Sequence, residues 1–158
     1  MSDTSRRSFF GALSSLFKDE HVPVRPPYAA ADETFTSCKT CEGMCVSACE
    51  EKIIHRDTQG SVFLDFTSTG CSDCQKCLDV CTPNVLHDPM RFIQGRARIN
   101  TLSCMSHHDT ICFSCKEPCL ENAIHFEGMF RPIIIRDKCT ACGYCVAVCP
   151  SGAIEVSA

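Results

Sequence analysis

Cys139-Thr-Ala-Cys142-Gly-Tyr-Cys145-Val-Ala-Val-Cys149-Pro150 constrains this chain more than any other stretch. Its spacing is C-x2-C-x2-C-x3-C-P. Three thiolates on one tight loop reach three corners of a [4Fe–4S] cube, while the fourth lies on the helix that follows and points away from them. The proline bends the chain into the next segment. A structural zinc site needs two cysteine pairs and does not favour a third cysteine at the same short spacing. The stretch therefore reads as an iron–sulfur loop.

Sixteen of the 158 residues are cysteine. Such density means disulfides, zinc or iron–sulfur clusters. The sixteen fall into four modules: Cys38, Cys41, Cys45, Cys49; Cys71, Cys74, Cys77, Cys81; Cys104, Cys112, Cys115, Cys119; and Cys139, Cys142, Cys145, Cys149. Cysteines two or three residues apart are poor disulfide partners but good co-ligands, which argues against a disulfide framework and the oxidising compartment it needs. The last cysteines are spaced by 32, 38 and 30 residues, an internal repeat whose longer middle step divides the chain near residues 88–98.

Modules two and four are regular. Module one has an extra residue between its second and third cysteines and Glu50 where proline is usual. Module three spaces its first two cysteines as C-x7-C, puts Pro118 before its last, and carries His107 and His108 in the long loop. Histidine replaces cysteine on iron in Rieske centres; the alternative is a pair of exposed loop histidines. His21, His55, His87 and His125 lack ligand spacing. Three to four [4Fe–4S] clusters are expected on these sixteen cysteines.

The core is thin: there is no Trp, and there are two Tyr and ten Phe. Clusters must supply part of the cohesion, so their binding should be coupled to folding, and the metal-free chain should be largely disordered. The formal charge is −4. Each oxidised cube with four thiolates adds about −2, so four bring the loaded protein to about −12. That excludes a nucleic-acid role, which needs a basic footprint, and an anionic membrane surface. No segment is long enough to span a membrane. No nucleophile–base pair, phosphate loop or open metal position is present, so the chain is read as no enzyme in its own right.

Between modules one and two, Lys52–His55 and Ser61–Phe66 flank Asp57-Thr-Gln-Gly60, a hairpin pattern. Between modules three and four, Ala123–Phe126 and Arg131–Arg136 flank Glu127-Gly128 in the same way. Val85-Leu86-His87 and Ala153–Val156 each suit a short strand, and a short helix should follow each cysteine loop. The arrangement resembles the bacterial two-cluster ferredoxin fold, written twice. The fold class expected is α+β: tandem two-cluster ferredoxin-like halves, with short helices and β-hairpins around the clusters, behind an N-terminal extension. The extension covers residues 1–34 (a short amphipathic helix and a Pro-rich linker), half one 35–90 and half two 91–158. The resemblance implies crosswise ligation, one cluster taking Cys38, Cys41, Cys45 and Cys81 and the next Cys71, Cys74, Cys77 and Cys49. In half two one takes Cys139, Cys142, Cys145 and Cys119, the other Cys104, Cys112, Cys115 and Cys149. A nested pairing, first module with fourth and second with third, is the alternative.

The N-terminal region has two readings. Ser5-Arg6-Arg7-Ser8-Phe9-Phe10 is similar to a twin-arginine export signal, with Ala29-Ala30-Ala31 as a distant imitation of a cleavage site. Phe9, Leu13, Leu16 and Phe17 recur at helical spacing, which suits an amphipathic helix that docks a partner or packs on the domain. The run Val22-Pro-Val-Arg25-Pro26-Pro27-Tyr28 favours an extended course, either as a spacer or as a clamp across the clustered domain.

The whole chain resembles the NapF family, ferredoxin-type iron–sulfur proteins of periplasmic nitrate reductase systems. Ser5-Arg6-Arg7, Arg25-Pro26-Pro27-Tyr28, the spacing of module three, Pro132 and the closing Cys149–Ile154 carry the resemblance. It implies a cytoplasmic protein, with periplasmic location by twin-arginine export as the alternative. It also implies action on the precursor of the catalytic molybdenum subunit before export, by assembling or reducing that subunit's iron–sulfur site. The Phe9–Phe17 stripe and the polyproline run would be the docking surface. A redox partner protein is implied in either case, and an electron carrier to a reductase or a quinol-oxidising membrane complex is the alternative function.

Overall fold

A computed structural model describes residues 22–30, 34–87 and 93–158. The twin-arginine-like sequence and the Phe9–Phe17 stripe lie outside the described residues. The chain is a small mixture of short helices and strands. Helices α1 (Met44–Ala48), α2 (Lys76–Asp79) and α3 (Tyr144–Ala147) alternate with strands β1 (Ile54–Arg56), β2 (Val62–Leu64), β3 (Arg96–Ile99), β4 (Ile124–Glu127), β5 (Phe130–Ile134) and β6 (Ile154–Ser157). Each helix begins after a left-handed residue between the second and third cysteines of its module: Gly43 (φ 76°), Gln75 (φ 64°) and Gly143 (φ 85°). That reversal brings the third thiol back over the loop.

The four modules close in one way. Three residues after the last cysteine stands a left-handed residue: Lys52, Asn84, Asn122 or Gly152. Its N–H donates to the carbonyl of that last cysteine at 3.0–3.1 Å. The next two residues are buried each time: Ile53 and Ile54, Val85 and Leu86, Ala123 and Ile124, Ala153 and Ile154. Gly152, Asn84 and Asn122 suit the left-handed corner, while Lys52 adopts it at a cost of about 1–2 kcal/mol, and the apolar pair behind it forms the floor under the cysteines.

Both expected hairpins are present. β1 pairs antiparallel with β2, Ile54 opposite Leu64, around a turn in which Asp57 Oδ1 accepts from the N–H groups of Gln59 and Ser61. β4 pairs with β5, Ile124 opposite Ile134, with an irregularity at Phe126 and Glu127. The segment after each even-numbered module also pairs, with a partner the sequence reading did not identify. β6 pairs antiparallel with β3, and Leu86 bridges to Ala29. β3 was missed because Arg96-Ala-Arg-Ile offers only two apolar residues in an exposed–half-buried alternation. Module three departs from the expected helix: residues 114–118 form a turn, since Pro118 brings no N–H to a helical ladder.

Residues 22–30 are not a free linker. Pro26, Pro27, Tyr28 and Ala29 are buried. Leu64 N–H donates to Val24 O, His87 N–H to Tyr28 O, and Gln94 Nε2 to Ala29 O. Arg25 donates to Ser61 Oγ (2.9 Å) and Val62 O (2.6 Å), and its guanidinium lies 4.7 Å from the centroid of the Phe35 ring. The segment is a strap across half one. This corrects the expectation that the polyproline run is a docking surface, because Val24, Pro26, Pro27 and Tyr28 are already covered, with Val22 exposed at its start.

The larger core gathers Val24, Tyr28, Phe35, Ile53, Ile54, Val62, Leu64, Phe66, Val85 and Leu86, and it takes in Ile93, Ala141 and Val156 from the segment 91–158. A smaller one holds Cys115, Ile124, Phe126 and Ile154, and Val146 packs on both. The halves also meet backbone to backbone. Cys71 N–H donates to Cys142 O at 2.7 Å. A Cβ on Gly70 would stand 2.5 Å from Tyr144 N, and one on Gly143 would stand 2.1 Å from the Phe66 ring.

Candidate iron–sulfur sites

The fold brings the sixteen cysteines together in four sets, each combining three thiols of one module with the last thiol of its neighbour in the same half. Cys38, Cys41, Cys45 and Cys81 line one cavity, and Cys49, Cys71, Cys74 and Cys77 a second. Cys104, Cys112, Cys115 and Cys149 line a third. Cys119, Cys139, Cys142 and Cys145 line a fourth. The fourth, about 410 Å³, is far wider than the others at about 10–20 Å³. It widens because it opens onto Cys71 and Ser72 at the contact between halves. The four cavities follow the crosswise rather than the nested grouping, although Cys71 of module two also reaches the cavity of Cys119.

Among the described residues, no group of three or more His, Cys, Asp or Glu is placed to hold a single metal ion. Each set of four thiols instead lines its own cavity. A tetrahedral zinc ion bonds sulfur at about 2.3 Å and demands convergence; a polynuclear core needs the wider ring. The residues present therefore fit an iron–sulfur cube, with cysteine thiolates as its usual ligands.

Cys38, Cys77, Cys115 and Cys145 each feel the other thiols of their set, and Cys77 and Cys145 also feel one thiol of the neighbouring set. Burial, then Cys45, Cys81 and Cys41, push the Cys38 thiol up to about 11. Burial, then Cys71, Cys45, Cys49 and Cys74, push Cys77 up to about 12. Burial and the thiols of Cys142, Cys139, Cys115 and Cys119 push Cys145 up to about 12. Cys115 reaches about 11 through burial, opposed by its backbone, and through Cys149, Cys112 and Cys104. Four thiolates cannot share such a site without a cationic centre, so loading with iron releases their protons.

Backbone donors aim at the sulfurs. Gly43 N–H donates to Cys41 Sγ and Leu86 N–H to Cys81 Sγ, each at 3.3 Å. Ala123 N–H donates to Cys119 Sγ at 3.3 Å and Ala153 N–H to Cys149 Sγ at 3.2 Å. Burial opposes ionisation of Cys149, but the N–H of Ala153 and the side chain and N–H of Ser151 outweigh it and hold its pKa below the ordinary thiol value. These donors are main-chain groups and carry no residue signature; the repeating left-handed corner that aims them is visible only in coordinates.

Neither histidine of the module three loop lines a cysteine cavity. His107 Nε2 meets Pro132 O at 3.3 Å and His108 Nε2 meets Leu102 O at 2.9 Å, so both pin the loop. The same loop carries exposed Leu102, Met105, Ile111 and Phe113. No helix among the described residues is long and apolar enough to cross a membrane.

Residues 132–155 match the family described as 4Fe-4S binding domain. Over 96% of its length the chain is 30% identical to "Ferredoxin-type protein NapF" of Escherichia coli K12, covering 93% of that protein. It is 32% identical to the Haemophilus influenzae protein of the same name, over 96% of this chain and 90% of the relative. It is 27% identical to "Ferredoxin-type protein NapG" of H. influenzae, over 82% of this chain and 56% of that one. With cysteine sets suited to [4Fe–4S] chemistry and similarity that runs nearly end to end, the chain belongs to the NapF family of ferredoxin-type iron–sulfur electron-transfer proteins.

Proposed function

We propose that this protein is a cytoplasmic accessory protein of two tandem ferredoxin-like halves, each holding two [4Fe–4S] clusters on its crosswise cysteine sets. It binds the precursor of the periplasmic nitrate reductase catalytic subunit and serves that subunit's iron–sulfur maturation before export. The observation that carries the reading is the grouping of all sixteen cysteines into four sets of four, each around its own cavity. When bound, the clusters supply one-electron transfer. The chain holds the thiolates in register, aims N–H donors at their sulfurs and covers half one with the strap. It has no catalytic machinery of its own.

Apolar side chains left on the surface concentrate on half two, at Leu102, Met105, Ile111, Phe113, Leu120, Met129 and Ile133. A precursor docking there buries the loop of module three, and the acidic loaded protein favours a basic patch on its partner. Leu102→Asp with Ile111→Asp should abolish capture of the precursor by the anaerobically prepared protein while its visible absorption stays intact. Capture that survives both substitutions places docking elsewhere.

A second reading, an electron carrier to a reductase or a quinol-oxidising membrane complex, is favoured by the contact between Cys71 and Cys142, which sets the second and fourth cysteine groups side by side. Precursor capture that fails outright while reversible reduction of a reductase succeeds would overturn maturation in favour of this carrier role.

A further inference from the structure

We infer that Ser106 donates a hydrogen bond to the iron–sulfur core held by Cys104, Cys112, Cys115 and Cys149, and so raises that core's reduction potential. The inference rests on the proposed occupancy of this set.

Ser106 sits in a 3-10 turn, Met105–His108, that begins directly after Cys104. The turn exists because of the long spacing in module three. It is tied down by His107 N–H on Cys104 O (3.0 Å), by Thr110 N–H on Met105 O (3.2 Å), and by the two histidine rings. Ser106 is 2% exposed and lines the cavity together with the four cysteines of this set. Its hydroxyl is a buried side-chain oxygen without a hydrogen-bond partner, and none of the cysteine sulfurs serves it.

A buried hydroxyl left unpaired costs about 1–3 kcal/mol. Apolar Ala would fill the same place without that cost, so the hydroxyl implies an acceptor inside the cavity. The other two hydroxyls around this set already have sulfur neighbours: Ser114 Oγ lies 3.8 Å from Cys112 Sγ and Ser151 Oγ 3.7 Å from Cys149 Sγ. The acceptor left for Ser106 is a sulfide of the core. A donor to cluster sulfur stabilises the more negative, reduced form and raises the potential. No other buried side-chain oxygen or nitrogen among the described residues stands unpartnered.

The test uses the full chain, loaded anaerobically and titrated with dithionite as one-electron donor under EPR, after iron quantitation. The core of this set is identified by the signal that Cys149→Ser removes. Ser106→Ala should keep the iron content and shift that one potential downward, leaving the others in place. Ser106→Thr should hold it near the original value, and Ser106→Val, which matches Thr in shape but lacks the hydroxyl, should lower it as Ala does. Should Ser106→Ala shed the core, the Thr and Val pair decides. Full iron with an unmoved potential in the Ala or Val variant overturns the inference alone. An unsubstituted protein short of this set's iron overturns the occupancy on which it rests, and the iron count shows this before any titration.

Discussion

Tyr28 is 2% exposed, and its hydroxyl donates to Asp73, which stands in a left-handed conformation between Cys71 and Cys74. Burial first, then this bond and the negative charge of Asp73, hold the phenol well above its ordinary pKa, so it stays a donor. The strap thus reaches a cysteine loop through one hydroxyl. Tyr28→Phe leaves the ring in place and removes one hydrogen bond, whose acceptor Asp73 is exposed and turns to water, at a cost of about 0.5–1.5 kcal/mol. A chain of this size then loses its cluster absorption on heating about 2–4 °C earlier for each kcal/mol; an unchanged midpoint would mean that the strap is held by its backbone and Arg25 alone. Cys149 offers a second test. Cys149→Ser should remove the same EPR signal that Cys112→Ser removes, and leave the one that Cys142→Ser removes. Loss of the opposite signal would contradict the crosswise grouping.

At the scale of elements, the glycine loops decide how the halves fit. Gly70 is not in a left-handed conformation; it is needed for room, because a side chain there meets backbone atoms of Tyr144 and Cys142. Gly143 needs both room and its positive φ. Gly70→Ala should therefore cost about 1–3 kcal/mol as an overpacked contact, seen as an earlier thermal bleaching of the clusters. Gly128, with open space around it and φ +67°, should cost only the left-handed backbone preference, about 1–2 kcal/mol, when changed to Ala. A Gly70→Ala variant as stable as the unsubstituted protein would show that the contact between loops yields freely. Much of the element plan was legible from sequence. Cysteine spacing marked the loops, Gly60 and Gly128 marked the hairpin turns, and the alternating runs beside them marked β1, β2, β4 and β5. What was not legible depended on distant partners: Ala29 meeting Leu86, Arg96–Ile99 meeting β6, and a proline run that reads equally as spacer or strap until its burial is seen.

Across the whole molecule, the two halves are not independent beads. Ala141 and Val156 sit in the larger core with residues 24–86, Val146 packs on both cores, and burial, then the charge of Glu51 across the boundary, push the Tyr144 phenol up. Residues 93–158 expressed alone should bind iron less completely than they do within the full chain, by colorimetric iron assay per mole of protein; equal loading would show two autonomous halves. The cysteine sets follow one another as one–two–four–three rather than in chain order, since Cys77 feels Cys45, Cys145 feels Cys115, and the junction joins Cys71 to Cys142. The grouping itself was foreseeable only through the resemblance to two-cluster ferredoxins, because spacing alone left nested pairing open. The central claim, four [4Fe–4S] clusters on sixteen cysteines, is tested most directly by iron and acid-labile sulfide quantitation with EPR on anaerobically prepared protein. The account predicts about sixteen irons and about sixteen sulfides per chain, with reduced [4Fe–4S] signals. About eight irons, or zinc in their place, would contradict it.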